Sequence, residues 1–183
     1  MRKYLIVLIS VLVIVGSFIL AVTLYRLEII NTIPEPIANP SIHRLLLEES
    51  ILNDLHDSYN DSTQIVINIL EAWCAPCLEE IPRLNHLAAK YHNKNILFVA
   101  LTSCNKEDLL MRFENMGLTF DYHIYFNQGE LINDINTAYF GQTSTVLVPQ
   151  HILLTKYGEV GLFLTGASEK NIFLLDNYLN RGK

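Results

Sequence analysis

Apolar residues along this chain follow three rhythms, and each predicts a different kind of element. From Leu5 to Leu24 they run on with only small residues between them and no ionisable side chain. From Ile42 to Leu55 they recur at helical spacing, as Ile42, Leu45, Leu46, Ile51, Leu52 and Leu55, behind Ser41 as a helix cap. Beyond Asn60-Asp61-Ser62, which breaks that helix, apolar runs of strand length alternate with helix-period stretches. Gln64 to Leu70 is rich in β-branched residues and predicts a buried strand. Leu78, Ile81, Leu84, Leu87 and Ala88 then repeat at helical spacing through to Tyr91. Asn95 to Leu101 predicts a second buried strand; Asn105-Lys106-Glu107-Asp108 offers a helix start, and Gly117 a stop. Tyr122 to Phe126 predicts a third strand and Glu130 to Tyr139 a short helix. His151 to Thr155 and Val160 to Thr165, joined across Lys156-Tyr157-Gly158-Glu159, predict an antiparallel hairpin. Ser168 caps a last amphipathic helix carrying Ile172, Phe173, Leu175, Tyr178 and Leu179. This order implies parallel βαβ units followed by a hairpin: an α/β fold with a central mixed sheet flanked by helices.

The same rhythms divide the 183 residues into three parts. Residues 1–30 read as an N-terminal membrane anchor. Leu5 to Leu24 carries no charge, and an apolar helix of about 20 residues spans the hydrocarbon core of a bilayer. Ala21-Val22-Thr23 is a poor cleavage site, so an uncleaved single-pass anchor is expected rather than a removed signal. Arg2 and Lys3 favour the inside, although Arg26 weakens the asymmetry; the remainder would then face the extracytoplasmic, oxidising side. Residues 31–40, with Pro34, Pro36 and Pro40, read as a semi-rigid spacer. Residues 41–183 form the folded domain. A net charge of −6 with no basic stripe argues against a nucleic-acid partner. Three cysteines are too few for a disulfide-stapled scaffold.

Candidate chemistry concentrates in Trp73-Cys74-Ala75-Pro76-Cys77, between the first predicted strand and its helix. Two cysteines separated by two residues can close a small disulfide ring or share a metal ion. The junction favours the redox alternative. Cys74 falls at a helix N-terminus, where free N–H groups and the helix dipole stabilise a thiolate. Cys77 follows one helical turn later and can resolve a mixed disulfide. Pro76 suits a first helical turn, which needs no N–H there. A four-ligand zinc site would need two more ligands, and no second CxxC exists. The six histidines form no compact ligand set; His123 and His151 are only remote candidates for a metal-carrying pair. No metal is expected.

The stretch from Asn68 to Leu84, with its WCAPC core followed by Glu79, Glu80 and Pro82, resembles the membrane-anchored thioredoxin-like proteins of bacteria, the TlpA/ResA family of thiol–disulfide oxidoreductases. The resemblance extends more weakly through Val148-Pro149 and Gly158 to Gly166. It implies a thioredoxin fold, with no cofactor beyond a redox-active Cys74–Cys77 disulfide. It also implies a loop in which a cis Val148–Pro149 bond faces the cysteines and offers the Val148 backbone to a substrate. The plain alternative is a trans proline opening an edge strand. Trp73 is expected to pack beside the cysteines and shield the disulfide. The family's β-hairpin before the catalytic strand is missing; the helix over 41–55 stands there instead, and packing on the sheet is its plainer reading. The segment 141–147 is longer than the usual approach to the proline.

Two positions depart from the pattern. Thioredoxins often carry a buried acid six residues before the first cysteine, where this chain has Asn68, which cannot exchange protons. Glu71 replaces a small residue and reads equally as a proton acceptor for Cys77 or as a solvated loop charge. Cys104 follows the second strand, at the sheet end where α/β folds place their sites, and is a possible third thiol beside a plainer packing role. The expected activity is thiol–disulfide exchange on protein substrates. The resemblance implies the reducing direction, a membrane electron donor of the thiol-relay type, and a substrate such as apocytochrome c. A disulfide-forming oxidant and a copper(I) carrier using the cysteine pair are the rivals.

Overall fold

The structure is a computed structural model that describes residues 14–20, 42, 44–46, 51, 62–140 and 147–181. By internal contacts the chain divides into Met1–Pro34 and Glu35–Lys183. In the first unit, residues 14–20 are helical with exposed side chains. No helix among the described residues is long and apolar enough to cross a membrane. Most of the Leu5 to Leu24 run and all of the 31–40 spacer lie outside the described residues.

The second unit is built on β1 (Gln64–Ile69), α1 (Ala75–Tyr91), β2 (Ile96–Leu101), α2 (Lys106–Met116), β3 (His123–Tyr125), α3 (Gly129–Phe140), β4 (Gln150–Leu154), β5 (Val160–Thr165) and α4 (Glu169–Arg181). The sheet order is β3-β2-β1-β4-β5. β1 pairs parallel with β2 and antiparallel with β4, and β2 pairs parallel with β3. Both faces of the sheet are covered, so its central strands are apolar almost throughout, as buried strands must be. Ile65, Ile67 and Ile69 of β1 point to one face, against Leu131, Ile132 and Ile135 of α3. Ile42, Leu46 and Ile51 pack in the same cluster, so the helical residues described there lie on the sheet. Val66 and Leu70 point to the other face, toward α1, α2 and α4.

Local signals in the sequence set the element ends. The Asn105 side chain accepts the Asp108 N–H and caps α2, and Gly117 closes it at φ 63° in the left-handed region. The Ser168 hydroxyl accepts the Asn171 N–H and caps α4. Helix α1 continues through Pro82 despite the donor lost there, because its face carrying Leu78, Ile81, Leu84 and Leu87 is buried against the sheet. One expectation on α4 is corrected. Phe173 is partly exposed and Leu174 is buried, because the helix rests on the sheet along Leu175 and Leu179.

Gly161 is the extra residue where β5 slips in register against β4: Leu153 pairs with Leu162, and Leu154 with Val160. A Cβ there would run into the ring of Tyr178 on α4, whose Cζ lies 2.8 Å from the Cβ position. We expect Gly161→Ala to destabilise the domain by about 1–3 kcal/mol, the usual cost of overpacking, and to lower the urea midpoint. An unchanged midpoint would mean that α4 is not seated as described.

Candidate active site

Strand β1 ends at the sheet centre, and its chain turns at once into α1. The Leu70 N–H donates to the Leu101 carbonyl and the Cys74 N–H to the Glu71 carbonyl, at 3.1 and 3.0 Å. Cys74 is therefore fixed as the N-cap of α1, with Pro76 in the first turn. Its sulfur accepts the Cys77 N–H at 3.2 Å. This N–H is one of those a helix N-terminus leaves without an intrahelical partner. Cys74 and Cys77 are joined as a disulfide, 4% and 2% exposed. When the bond is reduced, the same N–H and the helix dipole favour negative charge on Cys74.

Around the pair lie Leu70, Leu78, Ile81, Ala100, Leu109 and Phe113, with Val148 packed against the same cluster. The Val148–Pro149 bond is cis, and the Pro149 carbonyl accepts the Gly166 N–H at 2.8 Å. The loop expected from Val148 and Pro149 thus meets the cysteine cluster. Residues 141–146 of its approach lie outside the described residues. Trp73 corrects an expectation: it is 72% exposed and shields nothing by burial. It stands in the turn before the helix, where Leu70 and Leu78 already fill the inward positions.

Glu71 corrects one of the two readings of its sequence position, that of a solvated loop charge. It is buried, so it is no solvated charge, and its bonds run to the loop after β2. One carboxylate oxygen accepts the Ser103 N–H at 3.0 Å; the other accepts the Cys104 thiol at 3.0 Å and the Thr102 hydroxyl at 3.4 Å. The Cys104 sulfur in turn accepts the Ala72 N–H at 3.4 Å. Glu71 and Cys104 together strap the loop bearing the cysteine pair to its neighbour. Burial, and next the Glu71 hydrogen bond, push the Cys104 thiol above its ordinary pKa.

Two further residues join the site: Glu80, to which the sequence assigns no role, and His151, which it offers only as a remote candidate for a metal-carrying pair. Glu80 lies one turn beyond Cys77 and is 3% exposed. It accepts the Ser168 N–H on one oxygen at 2.9 Å, and its other oxygen meets His151 Nε2 at 3.1 Å. His151, fully buried on β4, stands opposite Asn68 in register, and their side chains bond at 3.0 Å. The position of Glu80, at helical spacing from Cys77 on the buried face, was the sequence signal available. For His151 the signal was the alternation of β4, which turns it toward α1 with Leu153. With both ring nitrogens engaged, His151 is placed in this network and not in a metal set; among the described residues no group of three or more metal-ligating side chains occurs.

A family model described as Redoxin matches residues 39–168, which include every element of the site described above. The chain belongs to the Redoxin family. Among curated proteins it is similar to the thiol-disulfide oxidoreductase ResA of Bacillus thuringiensis, 30% identical over 118 residues, or 64% of this chain and 62% of that protein. The ResA of Bacillus cereus is 28% identical over the same shares. The chain thus spans less than two-thirds of the length of the curated relatives it matches. Among solved structures, a thioredoxin family thiol:disulfide interchange protein from Chlorobium tepidum superposes with a TM-score of 0.53 at 19% identity, covering 70% of this chain and 83% of that one. The thioredoxin domain of a thiol-disulfide oxidoreductase from Bacteroides vulgatus gives 0.52 at 19%, covering 69% and 84%. At these identities the structures show the fold, which is thioredoxin-like.

In the oxidised Redoxin domain Cys104 is the free thiol. We expect its alkylation by iodoacetamide to rise only above the pH at which an unperturbed thiol ionises, about 8.5. The sign follows from the two leading causes, since burial and an acceptor on its proton both favour the neutral form. Glu71→Gln should lower the midpoint without bringing it to the free-thiol value, because burial is the larger cause. A midpoint at or below that of a free thiol would contradict the geometry.

Proposed function

We propose that this protein is an extracytoplasmic thiol–disulfide oxidoreductase that reduces disulfides in proteins. The observation that carries the reading is the Cys77 N–H aimed at the Cys74 sulfur at the start of α1. It makes Cys74 the better thiolate of the pair and Cys77 the resolving group. In the reduced protein the Cys74 thiolate attacks one sulfur of a substrate disulfide; the other substrate sulfur leaves as a thiolate and takes a proton from water. Cys77 then loses its proton and attacks the Cys74 sulfur. The mixed disulfide breaks, the second substrate sulfur leaves, and the Cys74–Cys77 bond forms. Two electrons have passed from the dithiol to the substrate. In this reading Glu80, buried at i+3 from Cys77 on the same helix, accepts the Cys77 proton. Val148, against the cysteine cluster, offers its backbone to an extended substrate segment.

Restoring the dithiol in an oxidising compartment requires an electron donor. The uncharged Leu5 to Leu24 run supports a membrane anchor, and with it a donor in the same membrane. The family resemblance carried by the WCAPC stretch favours the reducing direction, and an apocytochrome c awaiting haem is a substrate by analogy alone.

Replacing Cys77 by Ser should trap a mixed disulfide through Cys74, detected by mass spectrometry after exposure to a disulfide peptide. Alkylation of the reduced protein should modify Cys74 first, with a midpoint below that of a free thiol. Equal rates at all three cysteines would sink the assignment, and a potential near −120 mV rather than −270 mV or below would reverse the direction. On fractionation the full-length chain should stay with membranes through high salt and leave them in detergent. A soluble form beginning near Tyr25 would remove the anchor from this reading.

A further inference from the structure

A pair of neutral amides is buried between α3 and the sheet. Asn136 of α3 is 1% exposed, and Gln150, the first residue of β4, is fully buried. Ile132 and Ile135 beside the one, and Ile152 two residues beyond the other, belong to the apolar cluster on that face. Gln150 Nε2 donates to Asn136 Oδ1 at 2.7 Å. Asn136 Nδ2 donates to the Ile132 carbonyl at 2.8 Å and reaches Gln150 Oε1 at 3.4 Å. A carbonyl only accepts, so Ile132 settles which end of the Asn136 amide is nitrogen, and the Asn136 oxygen then settles the orientation of Gln150. Among the described residues neither amide leaves a buried atom unpaired.

Such a pair contributes little net stability, since two apolar side chains of the same shape can be nearly as stable in its place. What it supplies is direction. Apolar contacts tolerate sliding, whereas a closed amide pair admits one geometry. The residue it holds lies two positions from Val148, which packs both on the α3 cluster and on the cluster containing Cys74 and Cys77. Within the sheet the Pro149 carbonyl accepts the Gly166 N–H, and Gln150 stands in register with Ile69 and Thr165. The amide pair ties that same residue to α3, outside the sheet. We propose that Asn136 and Gln150 are positioning residues for polypeptide substrates, holding the Val148 backbone level with the cysteine pair so that it meets an extended segment in one register. The inference rests on the thiol–disulfide reading above and deepens it by naming the substrate class. A disulfide whose cysteine is flanked by extended main chain gains from this placement; one with no main chain beyond its sulfurs does not.

The test uses the full chain in detergent, reduced, and compares the rates at which two disulfides form the Cys74–Cys77 bond. One is a linear peptide whose central cysteine is capped by mercaptoethanol; the other is hydroxyethyl disulfide. Wild type should favour the peptide. Asn136→Leu combined with Gln150→Met replaces both amides by apolar groups of similar shape. It should lower the peptide-to-hydroxyethyl rate ratio by about three- to tenfold, the worth of a main-chain hydrogen bond. A ratio that does not move, or both rates falling together, overturns the inference and leaves the oxidoreductase reading intact. Wild type inert toward both disulfides sinks that reading, and the inference with it. Because the double variant can fail to fold, hydrogen exchange gives a second measurement on a chain with the pair in place. By linkage, whatever the pair contributes to peptide binding the bound peptide returns to the pair. With Cys77→Ser to trap each adduct on Cys74, the side-chain amide protons of Asn136 and Gln150 should exchange more slowly under the peptide than under the hydroxyethyl group, by the same factor. Fast exchange before any adduct forms, or equal protection in the two adducts, would overturn the proposal.

Discussion

The constraint on which this structure depends is the central place of β1. A strand with parallel β2 on one side and antiparallel β4 on the other has its ladder groups taken up and both faces buried. Such a strand can leave the sheet only at its end, and it must re-form backbone hydrogen bonds quickly once it does. Helix α1 answers both demands within a few residues. The result is a helix N-terminus anchored at the middle of the sheet edge, next to the loops that follow β2 and precede β4. The disulfide, the Glu71–Cys104 strap and the Val148–Pro149 loop all converge there because that topology leaves them nowhere else to end. The reactivity assigned to Cys74 is a property of this junction more than of the cysteine itself.

Much of the fold was legible in the sequence because its elements are marked twice, by period and by punctuation. β1, α1 and β2 carry apolar runs of the right length, while Asn105, Gly117 and Ser168 mark helix ends by side-chain and backbone chemistry that acts within a few residues. The Phe173 position failed for the opposite reason. Its helix has apolar residues at Ile172, Phe173, Leu174 and Leu175, and only the seating of α4 on the sheet decides which of these turn inward.

The site was legible where chemistry is local and opaque where it is not. Cys74, Pro76 and Cys77 occupy a single turn, so spacing alone fixes their geometry. Glu71 takes its meaning from Ser103 and Cys104, some thirty residues on, and no local pattern records that the second strand brings them together. The partnership of Glu80 and His151 spans a still longer stretch and depends on register: a shift of one residue between β1 and β4 would turn His151 to the opposite face of the sheet. Trp73 was misjudged by residue type. A large aromatic beside a disulfide suggests burial, yet the turn offers its inward positions to Leu70 and Leu78.

That exposed Trp73 has a practical consequence. It is the single tryptophan of the chain and adjoins Cys74 in sequence, so indole emission has one origin. Disulfides accept electrons from excited indoles and dithiols do not, so opening the Cys74–Cys77 bond changes the quenching of a lone fluorophore beside it. The protein carries its own optical gauge of oxidation state, readable in real time and without a label.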